Sequence, residues 1–379
     1  MIQNMSQFIL KTSGNTPVHG PQFILLAIIC FVCVTSVLIV LHELGHYLSA
    51  RAFGLKAQAF SVGLGPEIAG FTDRHGTRWK IAPIPLGGYV KFHGEMHPGV
   101  GSAEEAEHPQ SFARLARWKR AVVIFAGPFV NVLICAFILG ALFSIYGQPR
   151  VSDVIQNVTP GSAAANAGIN AGDKLVEWNG QKVDGSQSFV RYVKINPGQT
   201  VDLKLSRGQA GYEKVVTIAR FPMEDRFGNK AEIGRIGVLF GQSMKPIHNP
   251  FELVKVATVE TVDLFTLQVK TIWQMVKGER SLKEVSGPVR LAKFSGEQFI
   301  VGWLALTYFT AILSIAIAFM NLLPVPGLDG GYLALYGIEG LMRRNLSRKT
   351  FANSVKVGYG CIAILMVFGL SNDLRVLMF

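Results

Sequence analysis

Residues 23–41 read FILLAIICFVCVTSVLIVL, a run of 19 residues without a charge. No other feature restricts the fold as strongly. A backbone placed in hydrocarbon must satisfy all its polar groups internally, which a helix does within one segment. Roughly 20 residues of helix cross a bilayer core. Three further blocks follow: 121–146 is uncharged, 299–323 has no charge after Glu297, and 357–370 has only 14 residues. The last reaches crossing length with its flanks, 352–371, if Lys356 lets its stem lie along the apolar surface. The composition agrees, with 49% hydrophobic and 16% charged residues, where a soluble domain has about 25% charged. The first block reads as a span and not as a cleaved signal. Residues 1–22 hold one Lys and no Arg, and no small-x-small site follows the block.

The basic residues orient the spans. Ten Lys/Arg lie between Arg51 and Arg120, and Arg343, Arg344, Arg348, Lys349 and Lys356 lie between the third and fourth blocks. Short basic loops stay in the cytoplasm, so both termini and the long 147–298 segment are expected outside. This topology accounts for much of the net charge of +12. A nucleic-acid partner is not expected, because no basic face with stacking aromatics or known module is present. Cys30, Cys33, Cys135 and Cys361 all fall inside apolar blocks, where they read as small hydrophobes.

At the cytoplasmic end of the first block stands His42-Glu43-Leu44-Gly45-His46. Residues i and i+4 share a helix face, so both imidazoles can reach one metal while Glu43 serves a metal-bound water as base. Ionisable groups at the end of an apolar span are costly and usually functional. A catalytic zinc takes three protein ligands. Asp329, in NLLPVPGLDGG at the end of the third block, is the one candidate for the third. Its position alone suits an Asp-Gly turn; its position together with the missing ligand suits a metal.

HELGH in a first span, GPFVN (127–131) in a second and NLLPVPGLDGG (321–331) in a third resemble the site-2 protease family of intramembrane zinc proteases, with the RseP-type bacterial members closest. The resemblance covers nearly the whole chain. It implies Zn2+ held by His42, His46 and Asp329, with Glu43 as catalytic base. It also implies substrate contacts from Asn321 and Pro324 and, at the polar position of the second-span motif, from Asn131. Short strand-like runs at 57–62, 77–81 and 88–92 match the family's membrane-associated β segment, with Gly87 and Gly88 as candidate substrate-binding positions. The implied substrates are single-span membrane proteins of the anti-sigma factor or leftover signal peptide class, cut in a bacterial inner membrane.

The external segment resembles a PDZ domain of the bacterial protease type. PGSAAANAG suits a short helix ended by Gly168, GDKLVEWNGQKV a strand closed by an Asn-Gly turn, and 201–205 and 215–218 further strands. Such a domain takes a peptide or protein ligand at a sheet edge. Residues 251–277 lack Gly and Pro and read as an amphipathic helix, either on the outer membrane surface or packed on the PDZ domain. His93, His97 and His108 read as a solvated loop. The expected fold is thus a polytopic α-helical membrane protein with four transmembrane helices, a membrane-associated β segment and an inserted extracytoplasmic PDZ (α+β) domain. Its parts are a tail and first span (1–56), a re-entrant β region (57–120), a second span (121–149), the PDZ domain (150–240), an amphipathic helical linker (241–298), a third span with LDGG (299–335) and a basic loop with the fourth span (336–379). The partners expected are single-span substrates, membrane lipid and the PDZ ligand. The alternative is a catalytically silent membrane scaffold or metal-handling protein, against which an intact Glu43 argues.

Overall fold

The computed structural model describes residues 21–94, 111–183, 186–224, 230–278 and 287–378; His97 and His108 lie outside them. The chain divides into two compact units, one of residues 1–141 with 254–379 and the other of residues 142–253.

The first unit is built on four helices long and apolar enough to cross a membrane. Helix α1 (Pro21–Ala52) continues beyond its apolar run and carries HELGH on its last turns. Strands β1 (Ala57–Leu64), β2 (Ala69–Thr72), β3 (Arg78–Ile81) and β4 (Ile84–Phe92) then form a sheet of order β2-β3-β1-β4. Strand β2 was not foreseen, because its four residues, AGFT, show no alternation. Antiparallel pairing of β1 with β4 leaves the other edge of β4 open among the described residues. Helix α2 (Arg117–Ile145) is the second span. Val123 and Ile124 on α2 join Ala50, Phe60 and Phe92 in one buried cluster, which fixes the sheet beneath the end of α1.

The third block is not one helix. A helix Pro288–Val301 ends at Gly302, whose φ of 132° suits a residue without Cβ. The span itself is Trp303–Asn321. The LDGG motif also lies outside that span. Pro324 and Pro326 lack the N–H that would continue the helix, so the chain loops through 322–328 and begins a new helix at Asp329. The fourth span, expected at 352–371, is a longer helix, Arg348–Met378.

Numbering follows chain order with α3 (Ala163–Asn166) and α4 (Gln187–Ile195) in the second unit. Then come α5 (Pro250–Val276), α6 (Pro288–Val301), α7 (Trp303–Asn321), α8 (Asp329–Leu341) and α9 (Arg348–Met378). The amphipathic reading of 251–277 gives the right element, and part of it packs on helices of the bundle. Ala257, Glu260, Thr261 and Leu264 are buried; the Thr261 hydroxyl lies 3.8 Å from Cys135 Sγ on α2, and Phe265 meets Phe319 of α7 edge-on. Small side chains at 257 and 261 let α5 approach α2, so this stretch belongs to the helix bundle. On α9, buried Asp373 accepts from the backbone N–H groups of Gly287, Val289 and Arg290 at 2.9, 3.0 and 3.1 Å and caps α6.

The second unit holds β5 (Gln148–Val158), β6 (Lys174–Trp178), β7 (Gln181–Lys182), β8 (Thr200–Arg207), β9 (Ala210–Thr217) and β12 (Val238–Lys245) in a sheet of order β12-β5-β6-β8-β9, with β7 paired to β6. A separate hairpin joins β10 (Ala219–Glu224) to β11 (Lys230–Arg235). The Asn-Gly turn stands where expected, with φ of 43° at Asn179 and 75° at Gly180, values a two-residue hairpin turn requires. Buried Asp173 is fully engaged. It accepts from Arg207 Nε at 2.8 Å, Arg207 Nη2 at 3.0 Å, the Tyr212 hydroxyl at 2.5 Å and the Asn170 N–H at 2.7 Å. The Arg207 guanidinium lowers its pKa to about 2.

Candidate metal centre

His42 and His46 face one way because they are four residues apart on α1. Asp329 reaches them from α8. Its backbone is the first residue of that helix, with Leu328 as N-cap, so its carboxylate does not cap its own helix. Glu339 holds the far end of α8: its carboxylate accepts from the Leu346 N–H at 2.9 Å and lies 3.8 Å from Arg120 of α2. Residues 287 apart in sequence are brought together in this way.

His42 Nε2 lies 3.1 Å from Asp329 Oδ2, His46 Nε2 lies 3.7 Å from Asp329 Oδ1, and the two Nε2 atoms are 3.2 Å apart. All three side chains are buried. Donor atoms about 2.0–2.1 Å from a tetrahedral zinc stand about 3.3 Å from one another; the separations here are of that order, with the two histidines facing different oxygens of Asp329 and the ligand atoms all within 4.8 Å of one another. Two further observations fit a metal. Asp329 Oδ2 is buried without a hydrogen-bond partner, and α2 presents Gly127 to the imidazoles. A Cβ at 127 would stand 2.8 Å from His42 Nε2 and closer to His46 Nε2, so the space a methyl group would take is left open beside the donor atoms. Gly45 permits the crossing itself, since a Cβ there would stand 2.6 Å from the Ala126 carbonyl oxygen. His46 Nδ1 lies 2.8 Å from the Val123 carbonyl oxygen. That acceptor fixes the proton on Nδ1 and leaves Nε2 bare for a metal.

Glu43 follows His42 and lies against β4. Its Cγ is 3.6 Å from where a Cβ on Gly88 would be. Of the two candidate glycines, Gly88 therefore borders Glu43, while Gly87 lies over Leu64. Asn321 closes α7, and Pro324 is exposed in the loop that leads to Asp329. Asn131 lies beside His42. It is fully buried, with Nδ2 3.3 Å from His42 Nδ1, because its helix position faces the ligand-bearing side of α1.

The cysteines form no disulfide; Cys30 and Cys135 are buried, and Cys33 and Cys361 are exposed. His93 bonds Gln58 at 2.8 Å through Nδ1. Three contributors to the site were not recognised from the sequence: the Val123 carbonyl, Gly45 as a crossing point, and Gly127 as the open space. GPFVN carried the last as a motif, without its reason.

Residues 30–366 match peptidase family M50. A protein of Agrobacterium fabrum, provisionally named a zinc metalloprotease, is 37% identical over 374 residues, covering 96% of this chain and 99% of that protein. Similarly named proteins of Rhizobium meliloti and Campylobacter jejuni are 34% and 30% identical, over 91% and 94% of this chain and 95% of each of those proteins. A solved PDZ domain of an SdrC-like protein from Listeria innocua aligns with 26% of this chain and 99% of its own length, at 25% identity and a TM-score of 0.20. A score of that size carries no argument about the fold.

Proposed function

We propose that this chain, which belongs to peptidase family M50 and is a zinc metalloprotease of the site-2 type, hydrolyses peptide bonds in or beside single transmembrane helices. The observation that carries this reading is the His42, His46 and Asp329 cluster, formed where a helix of membrane-crossing length ends, with Glu43 beside it.

His42 and His46 through Nε2, and Asp329 through its carboxylate, would hold the zinc. The metal supplies Lewis acidity, which makes water acidic enough to lose a proton near neutral pH. Glu43 takes that proton as the water oxygen adds to the carbonyl carbon, and returns it to the amine nitrogen as the peptide C–N bond then breaks. A peptide bond inside a helix is shielded by its own hydrogen bonding, so the substrate must first be extended. The open edge of β4, with Gly88 against Glu43, is suited to pair with such a strand. Gly87 extends that edge, and Asn321 and Pro324 border the path on the Asp329 side. Asn131 serves from behind His42.

The basic loops favour a cytoplasmic position for the site, and an external position for both termini and for residues 150–240, in a bacterial inner membrane. A PDZ domain there selects substrates by a peptide or protein ligand at its sheet edge or by bulk above the bilayer. The substrates are of the anti-sigma factor or remnant signal peptide class, cut after an external trimming step; lipid is the surrounding partner, and no nucleic acid takes part. The test is to incubate purified protein with a single-span substrate, with and without a zinc chelator. Cleavage that chelation stops and zinc restores is expected. Cleavage indifferent to chelation would exclude the mechanism.

A further inference from the structure

The two histidines differ in what stands behind them. His46 Nδ1 faces a backbone carbonyl, an acceptor under any circumstance. His42 Nδ1 faces the side-chain amide of Asn131, with Nδ2 nearer at 3.3 Å, while Asn131 Oδ1 is buried with no partner. A neutral imidazole carries one proton. If His42 Nε2 is to bind a metal it must be bare, so the proton sits on Nδ1 and Nδ1 is a donor. An amide NH2 facing that donor opposes one N–H to another. Turning the amide by half a rotation, which exchanges two groups of nearly equal shape, brings Oδ1 to Nδ1–H. Either orientation leaves one amide atom without a described partner; the proton position that a metal requires selects the turned one.

We propose that Asn131 is a positioning residue whose Oδ1 accepts from His42 Nδ1–H, fixing the tautomer and ring plane that aim Nε2 at the metal. The residue is well placed for this. It is fully buried, and its backbone carbonyl accepts from Ser314 Oγ of α7 at 2.8 Å. It therefore links the span that carries the histidines to the span that leads to Asp329. The inference rests on the zinc reading of His42, His46 and Asp329. Loss of such an orienting partner costs about 10–100-fold in metal affinity.

The experiment measures zinc affinity by chelator competition on full-length, detergent-solubilised protein, for the wild type, Asn131→Leu and Asn131→Asp. Leu keeps the approximate volume and removes the acceptor, so affinity should fall about 10–100-fold. Asp offers only acceptors and should bind zinc at least as tightly as Asn. Wild-type affinity in Asn131→Leu overturns the proposal, as does a rise in KM for cleavage with zinc affinity unchanged, which would return Asn131 to a substrate-binding role. A tenfold or greater loss in Asn131→Asp also overturns it, because the NH2 would then be the group that matters. That variant decides alone if Asn131→Leu does not accumulate folded. A wild type without measurable zinc affinity would instead remove the zinc reading on which the inference stands.

Discussion

Two buried carboxylates sit in the two units of this chain, and their surroundings differ. Asp173, in the 142–253 unit, has four donors on its two oxygens. Asp329, in the helical unit, has an oxygen with none. The contrast extends beyond the pair. Among the described residues, buried side-chain nitrogen and oxygen atoms without a hydrogen-bond partner include Asn131 Oδ1, Arg120 Nε and Tyr308 Oη, all in the helical unit. An unpaired buried polar group costs about 1–3 kcal/mol, so a fold tolerates it where something else is gained. Asp173 holds its unit together. Asp329 is held in place by its unit and leaves an oxygen without a hydrogen bond beside two imidazoles, as the proposed metal site requires.

This contrast breaks if substitutions in the two units have similar consequences. The largest effect is expected for Asp329→Ala, which should lose zinc and cleavage together. Unchanged zinc in the purified variant would make Asp329 a turn residue and require another ligand. Glu43→Gln should retain zinc and fold and lose about 100- to 10,000-fold in cleavage, since an amide cannot take a proton from water; near-normal turnover would remove Glu43 from the mechanism. Gly127→Ala puts a methyl group beside the imidazole nitrogens, and zinc affinity should drop by about tenfold or more, with hydrogen exchange in 142–253 unaffected.

The second unit sharpens the comparison with smaller effects. Deleting residues 150–240 should widen the range of substrates, so that an untrimmed one is cut which the intact protein spares. A zinc-loaded, folded deletion variant that cuts nothing would make the segment part of the catalytic machinery. Arg207→Ala should destabilise the 142–253 unit, because buried Asp173 loses two of its donors; this reads as faster hydrogen exchange there, with zinc affinity unchanged. The same unit should respond to acid. Asp173 has a pKa lowered from 3.8 to about 2, so its contribution is fully present above about 4 and is lost as pH falls through about 2. Protection in the unit should decline over that interval, and less steeply in Arg207→Ala.

The spans were legible because a lipid-facing helix writes its demand into the composition of every turn. The two histidines were legible because their spacing of four is a helical property. Asp329 needed the arithmetic of ligands, since its distance from His46 in sequence carries no signal. The break at Gly302 was hidden because it falls within an uncharged block, where hydropathy cannot distinguish one helix from two. The small side chains on α5 marked a packing face, but an amphipathic pattern does not say whether protein or lipid lies against it. Gly127 was visible as a letter in a motif. Its reason is a missing methyl group, which only the crossing of α1 and α2 reveals.

The cap on α6 has a consequence for the order in which the protein can be completed. The carboxylate that accepts from the Val289 N–H belongs to Asp373, 84 residues further on. A ribosome adding about 5–20 residues per second needs roughly 4–17 s to make that stretch. Throughout that interval the amides at the start of α6 still await their partner, and α7 and Asp329 are made in the meantime. The helix that precedes the third span is finished by the fourth, so assembly of this part of the bundle closes from its C-terminal end.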